Sequence, residues 1–240
     1  MPRIHCPGPL IAGTAQNLPE GAARHVQVLR MQPGQALTLF DGQGLEAPAE
    51  ILQMGRSHVS VQIGAAQTVS REAPVAIHLA VGVPAGDRMD WLVEKATEMG
   101  VASIQPLFTE RSVLRLKGER AAKKQAHWQA VAVAACEQCG RNQVPPVAAP
   151  LELTDWLTLV HAQPPAGARL LLSLAEGSRP LRAAAQGPQS LHFLSGPEGG
   201  LSPQEENRAL TLGWTPIGLG PRILRAETAP LMVLGALLAP

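Results

Sequence analysis

The sequence contains no tyrosine, and only three phenylalanines and four tryptophans stand in its 240 residues. Surfaces that grip nucleic-acid bases by stacking need aromatic rings, so any such surface here is small. Net charge is also nearly absent, at +1, and the chain as a whole declares no preference for acidic or basic partners. No apolar run reaches the length that spans a bilayer, and no charged-then-apolar leader opens the chain. A cytoplasmic protein without membrane contact is expected. The cysteines are few and odd in number: Cys6, Cys136 and Cys139. Without an export signal they predict reduced thiols. Cys136-Glu137-Gln138-Cys139 is a lone C-x-x-C. A closed zinc site needs a second pair of ligands, so no metal is expected. The motif ends a long helical pattern instead of following a strand, which argues for buried or half-buried thiols over redox chemistry.

Glycine and proline, by contrast, are plentiful, at 23 and 22 residues. They punctuate a repeated strand, loop and helix near the C-terminus. Ser190 to Leu194 is an apolar strand, and Gly196 to Gly200 is the loop after it. Ser202, Pro203 and Glu205 then suit the N-cap, first and third positions of a helix, a capping box. After Leu219 comes the loop Gly220-Pro221-Arg222, then a closing helix from about Glu227 into Leu231, Leu234 and Leu238. Upstream, Arg169 to Leu174 is another apolar strand, followed by Ala175-Glu176-Gly177. Three strand-end loops, 173–177, 195–200 and 219–225, are thus expected at the carboxyl edge of a parallel sheet, where open α/β sheets bind ligands. Glycine lets a ligand approach the backbone where a Cβ would block it. No Gly-Lys-Ser/Thr follows these loops, and they lack the Gly-x-Gly-x-x-Gly fingerprint, so neither a P-loop nor a dinucleotide site is indicated.

The first seventy residues read mostly as strand, with one short helix from Glu20 to Met31. Strands are predicted over Ala36 to Phe40, Glu46 to Leu52 and His58 to Ile63, with Asp41 to Gly44 as a hairpin turn. Short strands at this spacing suggest a small barrel. Ser70 to Pro74 is the expected boundary. Beyond it strands and helices alternate, which argues for a parallel sheet. A strand over Val75 to Val83 precedes a helix from Arg88 to Met99, with Asp87 as its predicted cap. Ser103 to Phe108 is a strand and Glu119 to Gln138 a long helix. Between Arg111 and Arg141 the charges are Arg111, Arg115, Lys117, Arg120, Lys123, Lys124 and Arg141, against Glu119 and Glu137 only. A local excess attracts phosphates where net charge does not. Without interleaved aromatics, such a segment touches the nucleic-acid backbone instead of reading bases.

Gly196-Pro197-Glu198-Gly199-Gly200, followed by Leu219-Gly220-Pro221-Arg222-Ile223-Leu224-Arg225-Ala226-Glu227-Thr228-Ala229, resembles the signature of the SPOUT methyltransferases. Within them the chain is similar to the family that methylates N3 of a uridine in 16S ribosomal RNA. Met89 to Val101 and Ala134 to Arg141 carry the same likeness. The resemblance implies a C-terminal α/β trefoil-knot domain over 74–240 and a PUA-like β-barrel that binds RNA over 1–70. It implies S-adenosyl-L-methionine as cofactor, 16S rRNA or the small ribosomal subunit as partner, and a homodimer whose sites are completed across the interface. Its cofactor residues would be Leu172, Leu174, Leu194, Gly196, Pro197, Glu198, Gly199, Gly200, Leu219, Gly220, Pro221, Ile223 and Leu224. Arg3, His5, Arg24, His25 and Arg30 would face RNA, with Arg111, Arg115, Lys117, Lys123, Lys124 and Arg141 from the basic segment. Glu198 or Glu227 would take the N3 proton. Arg222 or Arg225 would steady charge on the uracil oxygens or grip a phosphate. Ala226 stands where the family usually has threonine, which removes any role for a hydroxyl there. Two other readings use the same residues: a non-catalytic RNA-binding or ribosome-assembly protein, and a nucleotide-using enzyme on an unknotted sheet.

Overall fold

Apolar and polar side chains alternate through residues 36–63, so one face of each strand there is buried. The computed structural model describes residues 1–56, 58–187 and 189–238, and these form two compact units. The first comprises Met1–Glu72 with Val133–Val144; the second comprises Ala73–Ala132 with Pro145–Pro240. A linear reading of domain boundaries does not anticipate the inserted segment 133–144.

In the first unit the elements are β1 (Arg3–His5), β2 (Ala15–Asn17), α1 (Glu20–Val28), β3 (Ala36–Phe40), β4 (Leu45–Met54), β5 (Val59–Ile63) and β6 (Gln67–Thr68). The pairing path is β1-β3-β4-β5-β2, with β6 on β4. Only β1 and β3 are parallel. Ile4, Leu37, Leu39, Ile51, Val59 and Val61 fill the core with Ala22, Ala23 and Val26 of α1. The helix stops at Val28, earlier than its pattern suggests, because Arg30 turns left-handed at φ 55°. That conformation is costly for a residue with a Cβ.

The second unit contains β7 (Ala76–Gly82), α2 (Arg88–Glu98), β8 (Ser103–Phe108), α3 (Glu119–Cys139), β9 (Leu151–Glu152) and α4 (Leu153–Ala162). After these come β10 (Ala168–Leu172), β11 (Arg179–Pro180), α5 (Leu181–Ala184), β12 (Ser190–Ser195), α6 (Pro203–Thr211), β13 (Thr215–Gly218) and α7 (Thr228–Leu238). The last seven residues of α3 belong to the inserted segment of the first unit. The sheet order is β11-β13-β10-β12-β7-β8-β9 and every pairing is parallel. Strands buried on both faces read as continuous apolar runs; β7 and β12 do so only after the half-buried His78 and His192, over Leu79–Val81 and Phe193–Leu194. Ala80 and Leu194 pack with Leu153, Leu157, Ala209 and Trp214 on the face that α4 and α6 cover. On the other face α7 lies against α2, β7 and β12. The chain therefore leaves β13 beyond β10 and comes back across the sheet to set α7 down beside β7.

Local signals hold in detail at α6. Ser202 accepts from the Glu205 N–H at 3.3 Å, the Glu205 carboxylate accepts from the Ser202 N–H at 2.9 Å, and Pro203 opens the helix. At α2 the predicted cap fails: Asp87 occupies the N-cap position, but its side chain makes no capping bond. Asp90, one turn in, instead accepts from Trp128 Nε1 at 2.9 Å and Lys124 Nζ at 3.1 Å, and contacts His127.

Candidate functional site

Because β10, β12 and β13 are parallel neighbours, the loops after them open on one edge of the sheet. Together they line a cavity. Leu172, Ser173 and Leu174 come from the end of β10 and the loop after it; Ser195, Gly196, Pro197, Glu198 and Gly200 from the end of β12 and its loop; Ile217, Leu219, Gly220, Arg222, Ile223 and Leu224 from β13 and its loop, with Ala226 and Ala229 beyond. The walls are mainly aliphatic. Leu174 and Ile223 stand 77% and 82% exposed on its rim, a large apolar surface to leave in water without a ligand or partner to cover it. Ser195 is one of the lining residues, and its Oγ is buried with no hydrogen-bond partner among the described residues. A buried hydroxyl left unpaired costs free energy, so this one is suited to a polar ligand atom.

Three expected cofactor residues do not line the cavity. Leu194 is wholly buried in the core beneath it, because alternation turns its side chain towards α4 and α6. Gly199 is covered by the side chain of Arg111, which would lie 3.2 Å from an added Cβ. Pro221 is exposed and outside the lining. Ser173 and Ser195 lie within the expected loops 173–177 and 195–200 without having been singled out, and Ile217, Ala226 and Ala229 line the cavity from outside the expected bounds.

A second cleft shares Glu198, Ile223, Leu224 and Ala226 with this cavity and adds Arg88, Arg225 and Glu227. Glu227 is 8% exposed, and its Oε2 has no partner among the described residues. Glu198 is engaged. Its Oε1 accepts from the Ala85 N–H at 2.8 Å and pairs with Arg88. Burial pushes this carboxyl up, but its own N–H, the Ala85 N–H and the Arg88 guanidinium together hold it below the ordinary range. A carboxylate so held is a poor proton acceptor. Arg225 is exposed in the cleft, as is Arg222 on the cavity.

The residues expected to face RNA divide sharply. Arg3 is not available: it donates to Glu46 at 2.9 Å and pairs with Asn142. Arg141 is 5% exposed and bound to Glu72. Arg3 thus serves a buried carboxylate that would otherwise be uncompensated, and the buried Arg141 is itself compensated by the half-buried Glu72. The His25 ring pairs with Glu137 at 2.9 Å, and the backbone N–H of the half-buried His5 donates to the same carboxylate. Arg111 is exposed but donates to the Gly199 carbonyl at 2.6 Å, so it holds the second loop. Arg115 donates to the Thr109 carbonyl at 2.7 Å and to Glu152 at 3.3 Å. Lys124 is taken by Asp90 and Lys123 by Glu119, the latter a surface pair of little strength. Arg24, Arg30 and Lys117 are exposed. Cys136 is fully buried, and burial pushes its thiol up to about 12; Cys139 is half-buried. Among the described residues no three His, Cys, Asp or Glu side chains converge as metal ligands, and no helix is long and apolar enough to cross a membrane.

Comparison with known proteins gives a consistent result. The family described as RNA methyltransferase domain matches residues 71–238, and the RNA methyltransferase PUA domain matches residues 18–64. The ribosomal RNA small subunit methyltransferase E of Bacillus subtilis is 32% identical, over 88% of this chain and 84% of its own. The crystal structure of the Neisseria gonorrhoeae enzyme of that name, bound to S-adenosyl methionine, superposes with a TM-score of 0.92 at 38% identity. It covers 98% of this chain and 96% of its own. A Legionella pneumophila methyltransferase in complex with the same cofactor gives 0.92 and 38%, over 99% and 96%.

Proposed function

This chain belongs to the RNA methyltransferase family, with a SPOUT-type α/β-knot fold and a PUA-like N-terminal unit, and on that premise we propose that it methylates N3 of a uridine in 16S ribosomal RNA. The observation that carries the reading is the adjoining pair of sites: an aliphatic, loop-lined cavity beside a cleft holding a buried carboxylate with a vacant oxygen. S-adenosylmethionine, when bound, supplies a methyl group on a cationic sulfur. Leu172, Leu174, Leu219, Ile223 and Leu224 would enclose its apolar parts, Gly196 and Gly200 would admit it to the backbone, and Ser195 Oγ would meet a polar atom. Holding two reactants in line supplies roughly 7 to 11 kcal/mol towards such a transfer.

The uridine N3 carries a proton that must leave as the methyl arrives. In this reading Glu227 accepts it, since Glu198 is occupied by Arg88 and Ala85. Arg225, in the same cleft, faces the charge that builds on the uracil carbonyl oxygens. Glu227→Gln keeps the shape and removes the acceptor. It is expected to lower kcat by about a hundredfold or more while leaving cofactor affinity, measured by calorimetry, within about threefold.

The first unit and the exposed Arg24, Arg30 and Lys117 would hold the RNA backbone. The functional protein in this reading is a homodimer in which a partner covers the apolar rim at Leu174 and Ile223. Sedimentation showing a fully active monomer would contradict that. The deciding experiment incubates the protein with S-adenosylmethionine and either free 16S rRNA or small subunits, then maps the RNA by mass spectrometry. One N3-methyluridine is expected. Methylation at another atom, or RNA binding with no transfer, would sink the assignment.

A further inference from the structure

The sheet edge that carries the cavity has a fourth strand-end loop, residues 83–87 between β7 and α2, and it touches the second of the other three. A Cβ added to Gly82 would stand 2.6 Å from Pro197 N and 2.9 Å from the Gly196 carbonyl carbon, so the two backbones are in contact. Beyond that contact the Glu198 carboxylate reaches over to take the Ala85 N–H and the Arg88 guanidinium. Arg88 is the first residue of α2, a helix anchored by the buried Met89, Leu92, Val93 and Ala96. Its Nε also lies 3.9 Å from Glu227 Oε1. One guanidinium, set on a fixed helix, therefore stands between a carboxylate on the cofactor cavity and a carboxylate on the neighbouring cleft. A planar fork can serve two acceptors in this way, whereas an ammonium acts as a point charge.

We propose that Arg88 is a positioning residue for the cofactor: through Glu198 it holds the 196–200 loop in the shape that forms the cavity wall. The inference rests on the functional reading above. It assigns Arg88 no contact with the reacting atoms.

The test uses Arg88→Gln, Arg88→Lys, Glu198→Gln and the double Arg88→Gln/Glu198→Gln, each checked for folding by circular dichroism. Titration of S-adenosylmethionine into Arg88→Gln should show affinity about tenfold weaker, the usual scale for one charge-assisted bond. KM for the cofactor should rise in step with that loss of affinity. Lysine should restore part of the affinity. The double variant should be no weaker than the worse single, because both remove the same tie. In the protein without cofactor, amide hydrogen exchange over 196–200 should quicken in Arg88→Gln. Wild-type affinity and exchange in Arg88→Gln, a fall in kcat alone, or additive effects in the double variant would each overturn the proposal. If Arg88→Gln does not fold, Arg88→Lys and Glu198→Gln decide it by the same readouts. A wild-type protein that binds no S-adenosylmethionine would instead overturn the functional reading and this inference with it.

Discussion

Gly196→Ala is expected to weaken cofactor binding severely. A Cβ at this position would lie 2.5 Å from the Gly200 carbonyl carbon, 2.6 Å from Leu201 N and 2.8 Å from Gly200 Cα. All three are backbone atoms, so no rotamer change relieves the clash; the loop itself must open. That loop turns back on itself, with the Gly200 N–H donating to the Pro197 carbonyl at 2.8 Å. Opening it displaces Pro197, Glu198 and Gly200, all of which line the cavity. A loss of affinity for S-adenosylmethionine of roughly tenfold to a hundredfold is expected, the equivalent of the roughly 1–3 kcal/mol that overpacking a close-packed site costs. Gly199→Ala is the control. It meets only the side chain of Arg111, at 3.2 Å, and that chain can move. Calorimetry on both variants, with thermal unfolding alongside, checks the contrast. Unchanged affinity in Gly196→Ala would show that the cofactor does not sit against this loop.

Glu46→Gln should produce the largest change in stability. Glu46 is 8% exposed and accepts from Arg71 at 3.0 Å, Asn142 at 3.0 Å and Arg3 at 2.9 Å. The Arg71 hydrogen bond does most to depress its carboxyl, to about 2; burial acts in the opposite direction. A carboxyl depressed on folding adds stability above its unfolded value and loses it as protons return. Here the window runs from the ordinary value of 4.5 down to about 2. At neutral pH Glu46→Gln is expected to cost about 3 kcal/mol, the range for breaking a buried ion cluster, with Arg71 discounted for its partial exposure. Urea unfolding followed in the first unit should show the gap between wild type and variant shrinking as pH falls from 5 towards about 2. A gap that stays constant would mean the carboxylate's charge is not what stabilises the unit.

What the sequence disclosed, and what it hid, follows the range of each interaction. The capping box at Ser202 and Glu205 was legible because its partners are three residues apart. Strands Ala36–Phe40 and Ser103–Phe108 were legible because alternation is a local property. The loops at 195–200 and 219–225 announced themselves through glycine and through resemblance. Arg3 and Arg141 were misjudged because their acceptors, Glu46 and Glu72, lie 43 and 69 residues away. No local pattern distinguishes a solvated arginine from one neutralised at that distance. Leu194 was misjudged because an apolar residue beside a ligand loop can point to either side of the strand, and register decides which. Arg88 escaped notice for a different reason. It follows a strand-end loop like the others, but only the order β12-β7 brings that loop against Glu198.

The grouping of Val133–Val144 with the first unit has a consequence for how the protein is made. Asn142 donates to Glu46 and Glu137 accepts from His5, so the N-terminal sheet lacks two of its internal partners until synthesis has passed well beyond the midpoint of the chain. By then β7, α2 and β8 have already left the ribosome. A gene fragment ending near residue 72 would carry every strand of that sheet but neither of these contacts.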